Sequence, residues 1–267
     1  MIGATGGSGT RVVARIVRNA GMFVGTRLRK TGSEDALDLA QYYNRWINPF
    51  LAGTAAEGEM RAGLEAALAQ HLSGFDGVRP WGWKEPRSTF LLPFLDRHLP
   101  ALRFLHLVRD GRDMAFSANQ KQARKHGDAY LRPAAADPAA PARSIALWSE
   151  LNLATVRYGE RELGRRYLRI RFEDLCAEPA AVAARIFDFF ELDGDPRLAA
   201  AEVTPPPSLG RWRKQDPVML AELEQIARWA LARLGYAPAG AYAGARGTFE
   251  SKEQANGNEV DTIRLLD

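Results

Sequence analysis

A glycine-rich turn stands almost at the start of the chain. Gly3-Ala4-Thr5-Gly6-Gly7-Ser8-Gly9-Thr10-Arg11 follows a short apolar stub and runs straight into the helical pattern Val12-Val13-Ala14-Arg15-Ile16-Val17. A strand that turns directly into a helix leaves backbone N–H groups free at the positive end of the helix dipole, a place that suits a phosphate-like anion. Such a turn belongs at the carboxyl end of a strand in a parallel sheet, where α/β proteins bind ligands.

A second passage of this kind lies about a hundred residues on. The apolar run Arg103 to Val108 ends at Arg109 and continues through Asp110-Gly111-Arg112-Asp113-Met114-Ala115-Phe116 to Ser117. Arg109 is expected at the strand tip and Ser117 two turns into the following helix, so both can face one crevice. Two anion-binding devices at strand ends point to a nucleotide with phosphates at both ends.

Strand and helix patterns alternate between and beyond these turns. Gly21 to Gly25 and Trp81 to Lys84 read as short strands, and Tyr167 to Phe172 as a later one. Helices are expected over 34–50 (with Ser33 as N-cap), 57–72, 87–98, from Arg109 to about His126, and over 142–163, 179–191 and 217–234. The stretch 130–141 reads as a loop. The expectation is one α/β domain over residues 1–236, with a mostly parallel central sheet flanked by helices, and a loosely ordered tail over 237–267.

Composition narrows the class. The 267 residues are 46% hydrophobic and 25% charged, as in an ordinary soluble globular protein, and the net charge is +4. Arginine supplies most of the cations, which fits planar recognition of phosphate or sulfate groups and fits equally a GC-rich coding sequence. The single cysteine, Cys176, excludes an intramolecular disulfide and a multi-cysteine metal site. No apolar run approaches the roughly 18 to 20 residues that span a bilayer, and no signal peptide is visible, so a cytoplasmic location is expected. The first strand is short, and a native chain that extends upstream of Met1 is left open. His71, His98, His106 and His126 lack zinc-like spacing, so no metal is expected.

Three readings of the first turn compete. A P-loop of the type G-x-x-x-x-G-K-[ST] requires a lysine where Thr10 stands, and fails. A dinucleotide fold matches the spacing of Gly3, Gly6 and Gly9 and would make the chain an NADP-binding reductase or redox sensor. No acidic residue follows Met22-Phe23-Val24 to hold a ribose hydroxyl, although Arg27 and Arg29 could take a 2′-phosphate. That fold gives Arg109 and Ser117 no role.

The third reading accounts for both turns. Gly7-Ser8-Gly9-Thr10, then Arg109 followed eight residues later by Ser117, then the late basic run Ser208-Leu209-Gly210-Arg211-Trp212-Arg213-Lys214 resemble the sulfotransferase family. That family transfers sulfuryl groups from 3′-phosphoadenosine 5′-phosphosulfate (PAPS). The resemblance extends over residues 1 to 235 and implies an architecture like that of the P-loop nucleotide kinases. It implies that Gly6, Gly7, Ser8, Gly9, Thr10 and Arg11 hold the 5′-phosphosulfate and that Arg109 and Ser117 hold the 3′-phosphate. Arg211 and Lys214 would close over the nucleotide, with Trp212 available to stack on adenine. No metal is required.

One departure concerns catalysis. Gly7 occupies the place where the family usually carries a lysine or arginine. Arg11, and Lys84 within Gly82-Trp83-Lys84-Glu85-Pro86-Arg87, are the expected substitutes, Lys84 resembling a second-strand lysine that reaches the sulfuryl group. Cytosolic members place a histidine two residues after that lysine; here it is Pro86. Heparan-type enzymes use a glutamate beyond the first crossover, so Glu34, Asp35, Glu57 and Glu85 are candidates and Asp35 is the expected base.

The acceptor would be a hydroxyl or amine on a small molecule, lipid or saccharide, bound by the regions 34–75 and 127–141. No basic stripe interleaved with aromatics suggests nucleic acid. A protein that binds the nucleotide without turnover is a third possibility.

Overall fold

The computed structural model describes residues 1–29, 32–131 and 140–239. Strands β1 (Ile2–Ala4), β2 (Phe104–Val108) and β3 (Tyr167–Arg171) form a parallel sheet in the order β1-β2-β3. Ile2 lies opposite Leu105, and Phe104 opposite Tyr167. All five residues of β2 are buried, as expected of a central parallel strand covered on both faces.

The helices are α1 (Thr10–Asn19), α2 (Leu37–Leu51), α3 (Glu57–His71), α4 (Leu92–His98), α5 (Gly111–Ala115), α6 (Lys121–Tyr130), α7 (Pro141–Tyr158), α8 (Phe172–Ala177), α9 (Pro179–Phe190), α10 (Pro196–Ala200) and α11 (Pro217–Arg233). The period of two along each strand divides the core. Ile2, Ala4, Leu105, Leu107 and Ile170 pack with Val13, Ile16 and Val17 of α1 and with Ile186 and Phe187 of α9. Phe104 packs with α2, α3 and α4, whereas Val108 joins α5, α7 and α11.

The expected strands at Gly21 to Gly25 and Trp81 to Lys84 are reduced to single parallel bridges, Phe23 to Trp81 and Ile2 to Lys84. They still extend the hydrogen-bonded edge, because Ile2 N–H donates to the Trp83 carbonyl (2.9 Å) and Phe23 N–H to that of Pro80 (2.8 Å). Pro80 and Pro86 have no N–H to donate, and Gly21 and Gly25 turn away at φ 93° and 89°, so neither segment can lengthen.

Three helix boundaries also differ. The helix expected from Glu34 starts at Leu37, capped by Ala36 rather than Ser33. Glu34 sits at φ 56°, held by Arg15 and Arg18. The next residues run extended, since Arg29 N–H donates to the Asp35 carbonyl and Ala36 N–H to that of Lys84. The helix expected over 87–98 is a 3₁₀ turn over Pro86–Leu91 before α4, because Pro93 has no N–H for the bond that would continue it. The helix after Arg109 breaks at Phe116, where the Gln120 amide donates to the carbonyls of Met114, Ala115 and Ser117 and so closes α5. From Gly159 the end of α7 widens into a π turn. Most of the loop expected over 130–141, and the expected tail from residue 240 onward, lie outside the described residues. None of the described helices is long and apolar enough to cross a membrane.

His106 shows how the core accommodates a polar ring. Its Nε2–H donates to Asn152 Oδ1 and its Nδ1 accepts from the Tyr167 hydroxyl, each at 2.8 Å; Asn152 Nδ2, bonded to the Trp148 carbonyl, fixes that orientation. Burial lowers its pKa from the ordinary 6.5 to about 3. Between these values the unfolded chain binds a proton that the fold refuses. Stability is therefore full above about pH 6.5 and falls as the pH drops, by on the order of 1.4 kcal/mol per pH unit from this residue. The His106→Gln variant is expected to lose Tm less steeply than wild type between about pH 6.5 and 4; parallel slopes would contradict it.

Candidate active site

The first turn is built by its glycines. Gly7 and Gly9 adopt φ 95° and 90°, a region that residues with a Cβ disfavour. A Cβ on Gly9 would stand 2.3 Å from the Phe172 ring at the start of α8, so the chain here approaches closer than any other residue allows. The Ser8 hydroxyl donates back to the Thr5 carbonyl at 2.7 Å, tying the turn to itself. Gly9 caps α1 without a side-chain acceptor, so the first N–H groups of that helix are left for a ligand. Gly6 N–H is used differently: it donates to Gln122 Oε1 of α6 at 2.8 Å. Gly3 lies in β1 rather than in the turn, and a Cβ there would meet the Phe104 ring at 2.6 Å, so its glycine reflects strand packing.

The turn opens on a cleft of about 590 Å³. Gly6, Gly7, Gly9, Thr10 and Arg11 line it at one end, and Asp35 and Lys84 form a wall. Lys84 is 2% exposed; its Nζ donates to the Ser33 carbonyl and to Asp35 Oδ1. An ammonium has three N–H bonds, so one remains for a ligand. Arg11 Nη1 is anchored on the Gly32 carbonyl. Of the candidate bases, Asp35 and Glu85 border the cleft, Glu85 being held against Arg87 at 2.9 Å. Glu34 instead pairs with Arg15 at 2.5 Å. Burial pushes its carboxyl up, but Arg15, Arg18 and Arg11 outweigh burial and leave its pKa below the ordinary value. Glu57 pairs with Arg97 and His98 on α4.

Arg109 enters the cleft from the tip of β2. Its Nη2 donates to Asp113 (2.9 Å) and to the Ser208 carbonyl (2.6 Å), and its buried Nε has no partner among the described residues. Ser117 is not part of the cleft lining, but its Oγ lies 3.9 Å from where a Cβ on Gly7 would stand, so it flanks the first turn. Arg211 is drawn onto the end of α5 by the Phe116 carbonyl at 3.2 Å, and Lys214 is exposed beyond it. Trp212 is 4% exposed, with Arg112 at 3.9 Å from its ring centroid, and offers no open face for the stacking expected of it.

Part of the cleft was not legible in the sequence. Lys121, Gln122, Lys125 and His126 of α6 line it, as do Arg29, Thr204 and Pro206. The α6 residues follow the break at Phe116, so periodicity carried over from Arg109 misplaces their face. Arg29, Lys121 and Lys125 add positive charge to a lining whose carboxylates, Asp35 and Glu85, are already paired with Lys84 and Arg87. The cleft is therefore built for an anion.

A parallel α/β sheet with a glycine turn at the end of its first strand, opening on a cationic cleft, defines a P-loop-like class of fold. The model of the sulfotransferase family matches residues 8–196, and the chain belongs to that family. Among solved structures, a sulfotransferase from Alicyclobacillus acidocaldarius is similar at TM-score 0.55 and 14% identity, over 91% of this chain and 97% of that one. The sulfotransferase domain of the curacin biosynthetic pathway gives 0.47 and 12%, over 88% and 97%. The sulfotransferase domain of the Synechococcus PCC 7002 olefin synthase gives 0.46 and 17%, over 92% and 94%. A search of curated protein sequences finds no match.

The close approach at Gly9 yields a prediction. Gly9→Ala is expected to lose about 2 kcal/mol or more and to lower Tm by about 5 °C. Gly21→Ala, at φ 93° with nothing within 4 Å of the new methyl, should lose less. Equal losses in thermal unfolding would show that Phe172 does not constrain the turn.

Proposed function

We propose that the chain transfers a sulfuryl group from PAPS to a hydroxyl or amine on a small molecule, lipid or saccharide. The observation that carries this reading is the convergence of the glycine turn, Lys84 and Arg109 on one cleft. The donor carries anions at both ends, and the cleft offers a separate device for each. Gly7, Gly9 and Thr10 with the start of α1 receive the 5′-phosphosulfate. Arg109, whose buried Nε has no partner among the described residues, receives the 3′-phosphate beside Ser117. Arg211 and Lys214 belong to the segment that closes over it, since Ser208 of that segment already meets Arg109.

Sulfuryl transfer is an in-line displacement in which positioning and charge stabilisation do most of the catalysis, by analogy with phosphoryl transfer. Negative charge grows on the bridging oxygen as it leaves. Lys84 and Arg11 supply the cations for it, in place of the family's loop cation at position 7. Asp35 and the Ser33 carbonyl hold the Lys84 ammonium in position, so its charge is aimed before substrate arrives.

Thermal stabilisation tests the donor. A nucleotide that binds the folded state raises Tm. 3′-Phosphoadenosine 5′-phosphate is expected to do so where NADP⁺ and ATP at equal concentration do not; a shift with NADP⁺ alone would overturn the reading in favour of a reductase. Two variants test the roles. Lys84→Ala should lower turnover of PAPS about 100- to 1,000-fold, with little change in nucleotide affinity. Arg109→Ala should weaken binding of the 3′,5′-bisphosphate far more than that of adenosine 5′-phosphosulfate, and equal weakening of the two would remove Arg109 from the 3′-phosphate.

A further inference from the structure

His126 lies on α6 in the wall of the cleft and is 3% exposed. Its Nδ1 is 2.7 Å from Asn48 Oδ1. The Asn48 amide is fixed in that orientation, because its Nδ2 donates to the Lys125 carbonyl at 3.0 Å. An amide oxygen can only accept, so Nδ1 carries the ring proton and Nε2 holds a lone pair. That Nε2 is buried and has no hydrogen-bond partner among the described residues. His106, the other histidine read by the same asparagine logic, has both nitrogens satisfied. A buried acceptor without a donor is unfavourable, so this ring of the cleft wall is left one donor short at a nitrogen just beneath the surface.

We propose that His126 Nε2 is the base that receives the proton of the acceptor hydroxyl in sulfuryl transfer, and this inference rests on the sulfotransfer reading above. As the acceptor oxygen bonds to sulfur, the bond from sulfur to the bridging oxygen breaks and its electron pair remains on the 5′-phosphate. The hydroxyl proton passes to Nε2. The products are the sulfate ester, 3′-phosphoadenosine 5′-phosphate and an imidazolium whose Nδ1–H still bonds Asn48. Asn48 thus orients the base, as the third member of a catalytic triad does. Burial, together with the Arg87 and Lys125 charges, lowers the His126 pKa to about 4, so the ring stands unprotonated at neutral pH. The negative donor, bound in the same cleft, favours the imidazolium that forms in the reaction. Asp35, whose Oδ1 is already bonded to the Lys84 ammonium, serves as the positioning residue of that lysine.

The test uses the full chain with PAPS as donor, and water, simple alcohols and phenols of graded acidity as acceptors. Release of 3′-phosphoadenosine 5′-phosphate is the readout. His126→Gln keeps a polar side chain that cannot take a proton. It is expected to bind the bisphosphate like wild type and to turn over about 100- to 1,000-fold more slowly. The loss should be greatest for the least acidic acceptors, and added imidazole should restore part of the rate in His126→Ala. Nitrogen NMR of the wild-type ring should show Nε2 unprotonated at neutral pH. Turnover retained in His126→Gln, a protonated Nε2, or a loss uniform across acceptors without rescue by imidazole would overturn the base while leaving sulfotransfer in place. A wild-type protein that neither binds the bisphosphate nor consumes PAPS would overturn the sulfotransfer reading, and His126 with it.

Discussion

A lysine that is nearly wholly buried must be paired, and Lys84 organises one side of the molecule around that requirement. Its backbone joins the edge of β1 through the Ile2 bridge, which brings the side chain in beside the glycine turn. The ammonium then needs oxygens, and the segment Ser33 to Asp35 supplies them. Those oxygens come from a turn at Ser33 and the extended pairing of Asp35 and Ala36, so the helix starts only at Leu37, and between them Glu34 turns the other way, at positive φ, onto α1. One buried charge therefore sets a strand edge, a helix start and the wall of a cleft together.

Helix α6 does corresponding work on the opposite side. Gln122 grips the amide of Gly6, fixing α6 to the turn that would hold the donor. One turn further on, Lys125 and His126 are tied to α2: the Lys125 carbonyl accepts from Asn48, and Asn48 accepts from His126. Asn44, one turn before Asn48, takes the Arg87 guanidinium at 2.6 Å. The glycine turn and the α2 side of the cleft are thus both tied to α6 by side-chain amides. Amides have fixed donor and acceptor ends, so they transmit orientation as well as position.

The fold was legible wherever backbone chemistry is local. Gly9 and Arg109 announce themselves because strand-to-helix turns need particular residues at particular offsets, and β2 because a run that is apolar but for His106 has to be buried on both faces. Lys84 and Arg109, which line the cleft, were legible through the motifs around them. The cleft was not legible at α6. Phe116 to Gln120 interrupts the helix through a side chain, Gln120, bonding to carbonyls behind it, and no periodicity foretells a break made in that way. The 3₁₀ turn before α4 was available in principle from Pro93, whose missing N–H forbids the continuous helix. Trp212 failed for a different reason: stacking on adenine requires an open ring face, and tertiary packing against Arg112 removed it.

Gly7 is the departure from the family's pattern that looks most damaging to catalysis, and the structure gives it a cause. The residue holds φ 95°, and a Cβ there would lie 3.2 Å from Met114 Cε of α5. A long cationic side chain at this position would face both backbone strain and the methionine. The turn is tight because α5 packs so closely upon it, and that same packing brings Ser117 alongside. A cationic side chain in the turn would have to push the Met114 methyl aside as well as adopt the strained backbone. Lys84 and Arg11, anchored on the carbonyls of Ser33 and Gly32, bring positive charge to the cleft from outside the turn.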